Sequence, residues 1–196
     1  MEARSRSLLR RTGFAFHQLF LLAYCGVLLG GFAVQFIAWE YPCPLCILQR
    51  MAMMLCAMGP AYVIVRSRSG EVTYSDVMTG LGMALVGAAA GSLMSARQVL
   101  LHIVPPDPGY GSEILGLHLY TWALITFFMV FVAAGVYLLF GERLVPGAVH
   151  YGGFSRMLLF LFTLIILANA VAVFFQEGFH WFLPDNPDTY RLRAVP

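Results

Sequence analysis

Not one lysine occurs in the 196 residues, and only 11% of the chain is charged. All twelve basic residues are arginine, and ten acids leave a formal net charge of +2. No basic run is interleaved with aromatics on a polar face, so the electrostatic footprint of a nucleic-acid binder is missing. The shortage of charge is matched by apolar side chains, which make up 60% of the chain, with a mean hydropathy of +0.76. Soluble domains typically carry about 45–50% apolar residues, and disordered chains are poorer in them. The alternating strands of a membrane β-barrel are absent as well. What remains is an all-α polytopic membrane protein.

Five apolar stretches stand out, at Phe14–Trp39, Leu45–Val65, Val77–Val104, Leu119–Phe140 and Met157–Phe175. Each approaches or exceeds the roughly 20 residues that a helix needs to cross a hydrocarbon core of about 30 Å. The first far outruns the apolar run of a signal peptide and has no small-residue cleavage site after it, so it reads as an uncleaved anchor. Arg4, Arg6, Arg10, Arg11, Arg66, Arg68, Arg143 and Arg156 fall on one side if five spans alternate. Basic loops stay inside, which puts the N-terminus in the cytoplasm and the C-terminus outside. Trp39, Trp122 and Trp181 fall at the opposite, outer border, where amphipathic rings settle at the headgroups.

Gly26 and Gly30 in the first stretch, and Gly87 and Gly91 in the third, sit four residues apart. Small residues let helix backbones approach in lipid, so both pairs are expected to hold the bundle together. The fifth stretch has one polar residue in its middle, Asn169, and is expected to pack peripherally. The tail after it is expected to lie along the outer surface.

Among four cysteines, Cys43 and Cys46 alone form a motif, inside Tyr41-Pro-Cys-Pro-Leu-Cys-Ile-Leu-Gln-Arg50. Pro44 suits the first position of a helix, having a fixed φ and no N–H to leave unpaired. Cys43 then sits near the N-cap and Cys46 one turn in, where unpaired amides and the helix dipole favour a thiolate. Arg50 shares their helical face and lies about 6 Å deeper than Cys46 along the axis. An arginine inside a span faces protein or a polar ligand, or else snorkels to the headgroups. The pair itself is open to three readings. One is an inert thiol pair. A second is a metal site completed by His102 and His118, for which the usual ligand spacings are missing. The third, preferred at an oxidising membrane border, is a redox-active dithiol.

The Pro-Cys-x-x-Cys-x-x-x-Arg run at the outer start of the second helix resembles that of the DsbB family of disulfide bond formation proteins. Ala96-Arg97-Gln98 and Leu115-Gly116-Leu117 extend the likeness, which spans about residues 14–140. The resemblance implies a four-helix transmembrane bundle in the bacterial inner membrane, here with a fifth transmembrane helix added. It implies oxidation of a periplasmic thioredoxin-fold thiol carrier, DsbA-like, with electrons passed to ubiquinone or menaquinone. Cys43 and Cys46 would be the quinone-coupled pair and Arg50 would help hold the quinone. Arg97 and Gln98 are candidates to complete the pocket, with His102 a further candidate as proton donor; no metal is implied.

On this reading residues 1–13 are a cytoplasmic basic N-terminus and 14–140 the redox core. Residues 141–156 are a cytoplasmic loop, 157–177 the fifth helix and 178–196 a periplasmic tail. The family's second cysteine pair, in the outer loop before helix 4, has no counterpart, since residues 103–118 contain no cysteine. Cys25 and Cys56 fall inside spans and read as packing residues. The departure keeps two alternatives open: a non-catalytic scaffold subunit, and a quinone-linked thiol reductase. It also leaves room for an additional membrane subunit as a partner. Glu40 and Glu113 read as outer-surface charges, and His17 and His150 as remote from the chemistry.

Overall fold

The computed structural model describes residues 2–180 and 182–192, with side chains from Leu8 onward. Five long helices follow one another: α1 (Glu2–Phe36), α2 (Pro44–Arg66), α3 (Tyr74–Leu101), α4 (Leu119–Phe140) and α5 (Gly153–Glu177). Each contains a segment long and apolar enough to cross a bilayer, and the protein is an all-α polytopic membrane protein.

The ends of α4 fall where its apolar stretch ends, whereas other helices outrun theirs. α1 starts at Glu2 because arginine and leucine propagate a helix about as well as each other. Hydropathy marks the part of a helix that suits lipid, not the point where its hydrogen bonds begin. The helix stops at Phe36, short of Trp39. There the Ala38 and Glu40 amides turn back to the Ala33 and Val34 carbonyls, and Trp39 adopts φ +58°. α3 starts three residues before Val77 because Thr73 caps it. The Thr73 hydroxyl accepts from the Asp76 amide, while the Asp76 carboxylate accepts from the Thr73 amide at 2.9 Å. Such a reciprocal pair satisfies two orphan donors at once. Arg66 also donates to Asp76 at 2.8 Å, fastening the end of α2 to the start of α3.

α2 is the centre of the bundle, packed most extensively on α3 and then on α1, with α4 against α3. The α2–α3 seam is close because it is lined by glycine. A methyl group at Gly80 would lie 2.8 Å from the Gly59 carbonyl oxygen, and one at Gly87 only 2.7 Å from the Cys56 amide nitrogen. Gly91 is covered by the Phe127 ring of α4. The expectation for α3 is thus met, but that for α1 is not: Gly26 and Gly30 face open space. The buried stripe of α1 runs through Leu21, Tyr24, Cys25 and Leu28, which turns the two glycines outward. Four-residue spacing identifies a face but not the direction in which it points.

α5 is more than peripheral. It lies on α1 and sends Leu158, Phe162 and Ile165 into the common core. Gln18 donates to the Ser155 hydroxyl at 2.9 Å across that seam, while Asn169 turns back to its own Ile165 carbonyl. Cys25 and Cys56 are fully buried in the same core. At the opposite end from Cys43, His17 is buried between the Phe16 and Tyr137 rings.

Among the described residues, four two-residue strands finish the connections: β1 (Glu71–Val72), β2 (Glu113–Ile114), β3 (Leu117–His118) and β4 (Gly147–Ala148). β2 and β3 form a hairpin above the cysteine end, with Leu115 and Gly116 at its tip both at positive φ. That is the twist a two-residue turn needs to match its flanking strands. β1 pairs with β4 at the other end, joining two connections far apart in the chain.

Candidate redox site

The site is built on the first turn of α2. Cys43 is the N-cap residue, extended at φ −69° and ψ 166°, with Pro44 opening the helix. Its sulfur accepts the Cys46 amide at 3.2 Å, so the thiol itself satisfies one of the orphan donors of the helix start. The two sulfurs face each other at 2.6 Å. Gln98 of α3 reaches both, its side-chain nitrogen 3.3 Å from the Cys43 sulfur and 3.7 Å from that of Cys46. Gln49 donates to the Gln98 oxygen at 2.8 Å, which fixes the amide with its N–H groups toward the sulfurs. Both glutamines are buried. A buried amide left unpaired costs about 1–3 kcal/mol, so the two are locked together.

Cys43 is 5% exposed, whereas Cys46 opens onto a cavity of about 250 Å³ between α1, α2 and α4. Val27, Leu28, Met53 and Ala123 give it an apolar wall, Arg50 lines it with charge, and Tyr110 closes it from the α3–α4 connection. Arg50 does not snorkel. Its guanidinium donates to the Gln35 oxygen at 2.5 Å and to the Gly31 carbonyl at 2.8 Å, and it lies over the Phe32 ring. Gly31 is small for a reason, since a methyl group there would press on the Arg50 Nε at 3.2 Å.

Sequence reasoning missed the parts that hold this turn in place. The Gln35 amide donates to the Tyr190 hydroxyl at 3.2 Å, and the Tyr190 ring packs edge-on against Tyr41. Gln176, in the last turn of α5, donates to the Pro42 carbonyl at 2.6 Å. Tyr110 donates to the Tyr41 carbonyl at 2.5 Å, and burial pushes its phenol above the usual range. Glu40 is no idle surface charge, since it accepts the Ser112 amide at 3.2 Å and also the Ser112 hydroxyl. The tail does not simply follow the surface. The Arg191 and Leu192 amides bond to the Gln176 and Phe175 carbonyls, folding the tail back on α5. One signal was available: Gln35 and Gln49 are polar residues inside apolar spans, and such residues tend to mark sites.

Three candidates fall outside the cavity, Gln98 among them, although its amide reaches both sulfurs. Arg97 is exposed, because one residue along α3 is about 100° around the helix from Gln98. His102 caps the end of α3. Its ring bonds the Asp107 carboxylate at 3.0 Å and stacks on Tyr120, which carries His118 on the same ring system. Trp39 and Trp122 lie at the cysteine end, Trp122 donating to the Ile114 carbonyl; Trp181 lies outside the described residues. Among the described residues, no three of His, Cys, Asp and Glu gather closely enough to hold a metal ion.

The family model for the disulfide bond formation protein DsbB matches residues 13–110. The chain belongs to the DsbB family. The matched segment contains Cys43, Cys46, Arg50 and Gln98 and ends before α4. The chain is 32% identical over 89 residues to disulfide bond formation protein B of Polaromonas naphthalenivorans (strain CJ2), covering 45% of this chain and 50% of the relative. A relative of the same name from Azoarcus sp. (strain BH72) is 29% identical over 157 residues, 64% of this chain and 92% of its own length. The match to the Polaromonas proteins thus spans about half their length. No solved structure matches the chain significantly.

Proposed function

We propose that the protein is a quinone-linked thiol oxidase of the bacterial inner membrane, with the cysteine end on the periplasmic side and the N-terminus in the cytoplasm. The observation that carries this reading is the division of labour between the two sulfurs. Cys46 faces an apolar cavity beside a fixed guanidinium, while Cys43 lies behind it against Gln98. The cavity suits a quinone head: its walls are apolar, and the Arg50 guanidinium offers N–H donors to a ring oxygen. A second apolar cavity, lined by Phe20, Tyr24 and Met129, meets the first at Thr126 along the α1–α4 seam and suits an isoprenoid chain.

In this scheme a thiolate of a DsbA-like thioredoxin-fold carrier attacks the Cys43 sulfur of the oxidised pair. The Cys43–Cys46 bond breaks, a mixed disulfide forms, and Cys46 leaves as a thiolate. The helix N-terminus, the Gln98 N–H and the Arg50 charge stabilise that anion. The second carrier thiolate then attacks the mixed disulfide, so the carrier leaves oxidised and the pair holds two electrons. A bound quinone supplies the acceptor for those two electrons and two protons. Arg50 would orient its ring and favour negative charge on the nearer oxygen, and the apolar walls exclude water.

Because Cys43 is only 5% exposed, the turn around it must open before the carrier reaches the sulfur. The test is purified protein with a soluble ubiquinone or menaquinone analogue and a reduced thioredoxin-fold carrier. Carrier-dependent loss of quinone absorbance, abolished by Cys46→Ser, is expected. No loss with the unaltered protein would overturn the reading in favour of a non-catalytic membrane subunit. Electron flow only from quinol to carrier would make the protein a reductase.

A further inference from the structure

At the end of the bundle away from the cysteines, the β1–β4 pair sets the α2–α3 connection beside the α4–α5 connection. The Val149 amide adds a bond to the Gly70 carbonyl. Between the two connections opens a cavity of about 660 Å³ bordered by Arg68, His150 and Arg156, with Tyr151 and Ser67 in its wall. Among the described residues, no carboxylate lines it.

Arg68 is held ready. Its guanidinium lies 4.9 Å from the centre of the Tyr151 ring and donates to the Tyr151 hydroxyl at 3.1 Å. Those contacts order the side chain without cancelling its charge. α5 begins at the same place, and Gly152, its N-cap, has no side chain to accept the first amides. Two arginines, Arg68 and Arg156, therefore line one open cavity, and the positive end of that helix begins one residue beyond Tyr151 in its wall. Phosphate oxygens are the chemistry such a set recognises, by charge-assisted bonds from arginine and by amides at a helix start. Position narrows the source: Arg68 ends the second apolar span, and Arg156 lies in the first turn of the fifth. Both stand where a bilayer presents its headgroups.

We propose that this cavity binds a phosphate group, either the phosphodiester of an anionic lipid headgroup or a free phosphate ion. The site is independent of the redox reading. Its test uses the full-length protein in detergent, titrated with dioleoylphosphatidylglycerol, with zwitterionic dioleoylphosphatidylcholine and with inorganic phosphate. Binding is followed by native mass spectrometry and calorimetry.

Phosphatidylglycerol is expected to bind saturably at one site and in preference to phosphatidylcholine. Basic residues near a headgroup contribute about 1 kcal/mol each, so Arg68→Gln with Arg156→Gln should weaken binding about thirtyfold. Each single substitution should weaken it about fivefold, which keeps the test usable if the double variant does not fold. Arg143→Gln, on the same connection but outside the cavity, should leave binding unchanged. Saturable binding of inorganic phosphate alone, with the same dependence on Arg68 and Arg156, would assign the site to the free ion. Absence of saturable binding by either ligand, or undiminished binding by the Arg68 and Arg156 variants, overturns the proposal. So does an equal loss in Arg143→Gln, which would signify diffuse charge attraction.

Discussion

Arg50 and Gln35 meet at 2.5 Å, guanidinium to amide oxygen, and the other end of the same amide donates to Tyr190. The guanidinium that lines the cavity is thereby aimed by α1 and, through α1, by the folded-back tail. A free arginine samples many rotamers, and holding one costs entropy that these contacts offset. Gln35→Ala should therefore leave the charge in place but release its direction. A hydrogen bond to a charged group is worth about 1.5–3 kcal/mol, so the apparent KM for quinone should rise about tenfold. Tyr190→Phe should produce a smaller shift in the same direction. Steady-state kinetics over a quinone titration checks both; an unchanged KM in Gln35→Ala would show that Arg50 needs no such guide.

Gln98 is expected to matter to the sulfurs more than to the fold around them. Gln98→Leu removes the N–H donors near Cys43 and Cys46 and leaves Gln49 unpaired. Stability should fall by about 1–3 kcal/mol, and the pair should become harder to hold as a thiolate. Thermal melting and equilibration of the Cys43–Cys46 pair against glutathione buffers measure the two effects separately.

The glycine seam between α2 and α3 should tolerate almost nothing. Gly87→Leu would drive a side chain into the α2 backbone at Cys56, and overpacking of this kind costs about 1–3 kcal/mol or more. Gly26→Leu, on the open face of α1, should be close to neutral. Melting temperatures of the two variants in one detergent test the contrast.

The α3–α4 loop carries a pH dependence of known sign. The Gly109 amide, and then His102, hold the exposed Asp107 carboxylate below its usual range. A depressed carboxylate supports the folded loop above the unfolded value of about 3.9 and loses that support as pH falls through the lower folded value. The loop should therefore stay ordered from neutral pH down to about pH 4 and loosen below it. The chemical shift of a labelled Gly109 amide reports this, and Asp107→Asn should abolish the transition.

The five apolar helices and the placement of Cys43, Pro44 and Cys46 could be read from the chain because hydropathy and cap chemistry are local. The surroundings of the sulfurs could not. Gln98 meets Gln49 across 49 positions and Gln35 meets Tyr190 across 155, and no periodicity encodes such pairings. Arg97 and Gln98 show the same limit at short range. Neighbours in sequence, they point in different directions, and only the packing of α3 on α2 decides which one reaches the thiols. Gly59 and Gly80 escaped notice because they lie on different helices, whereas Gly26 and Gly30 attracted it through a spacing that the bundle does not use.

The hydrogen bond from Gln176 to the Pro42 carbonyl alters what a truncation experiment would measure. A protein cut after α4 would retain both thiols, the guanidinium and the complete family-matched segment. It would nevertheless lose the distal clamp on the residue immediately preceding Cys43. Failure of such a fragment would therefore report the lost clamp on the cysteine turn together with the lost fifth span.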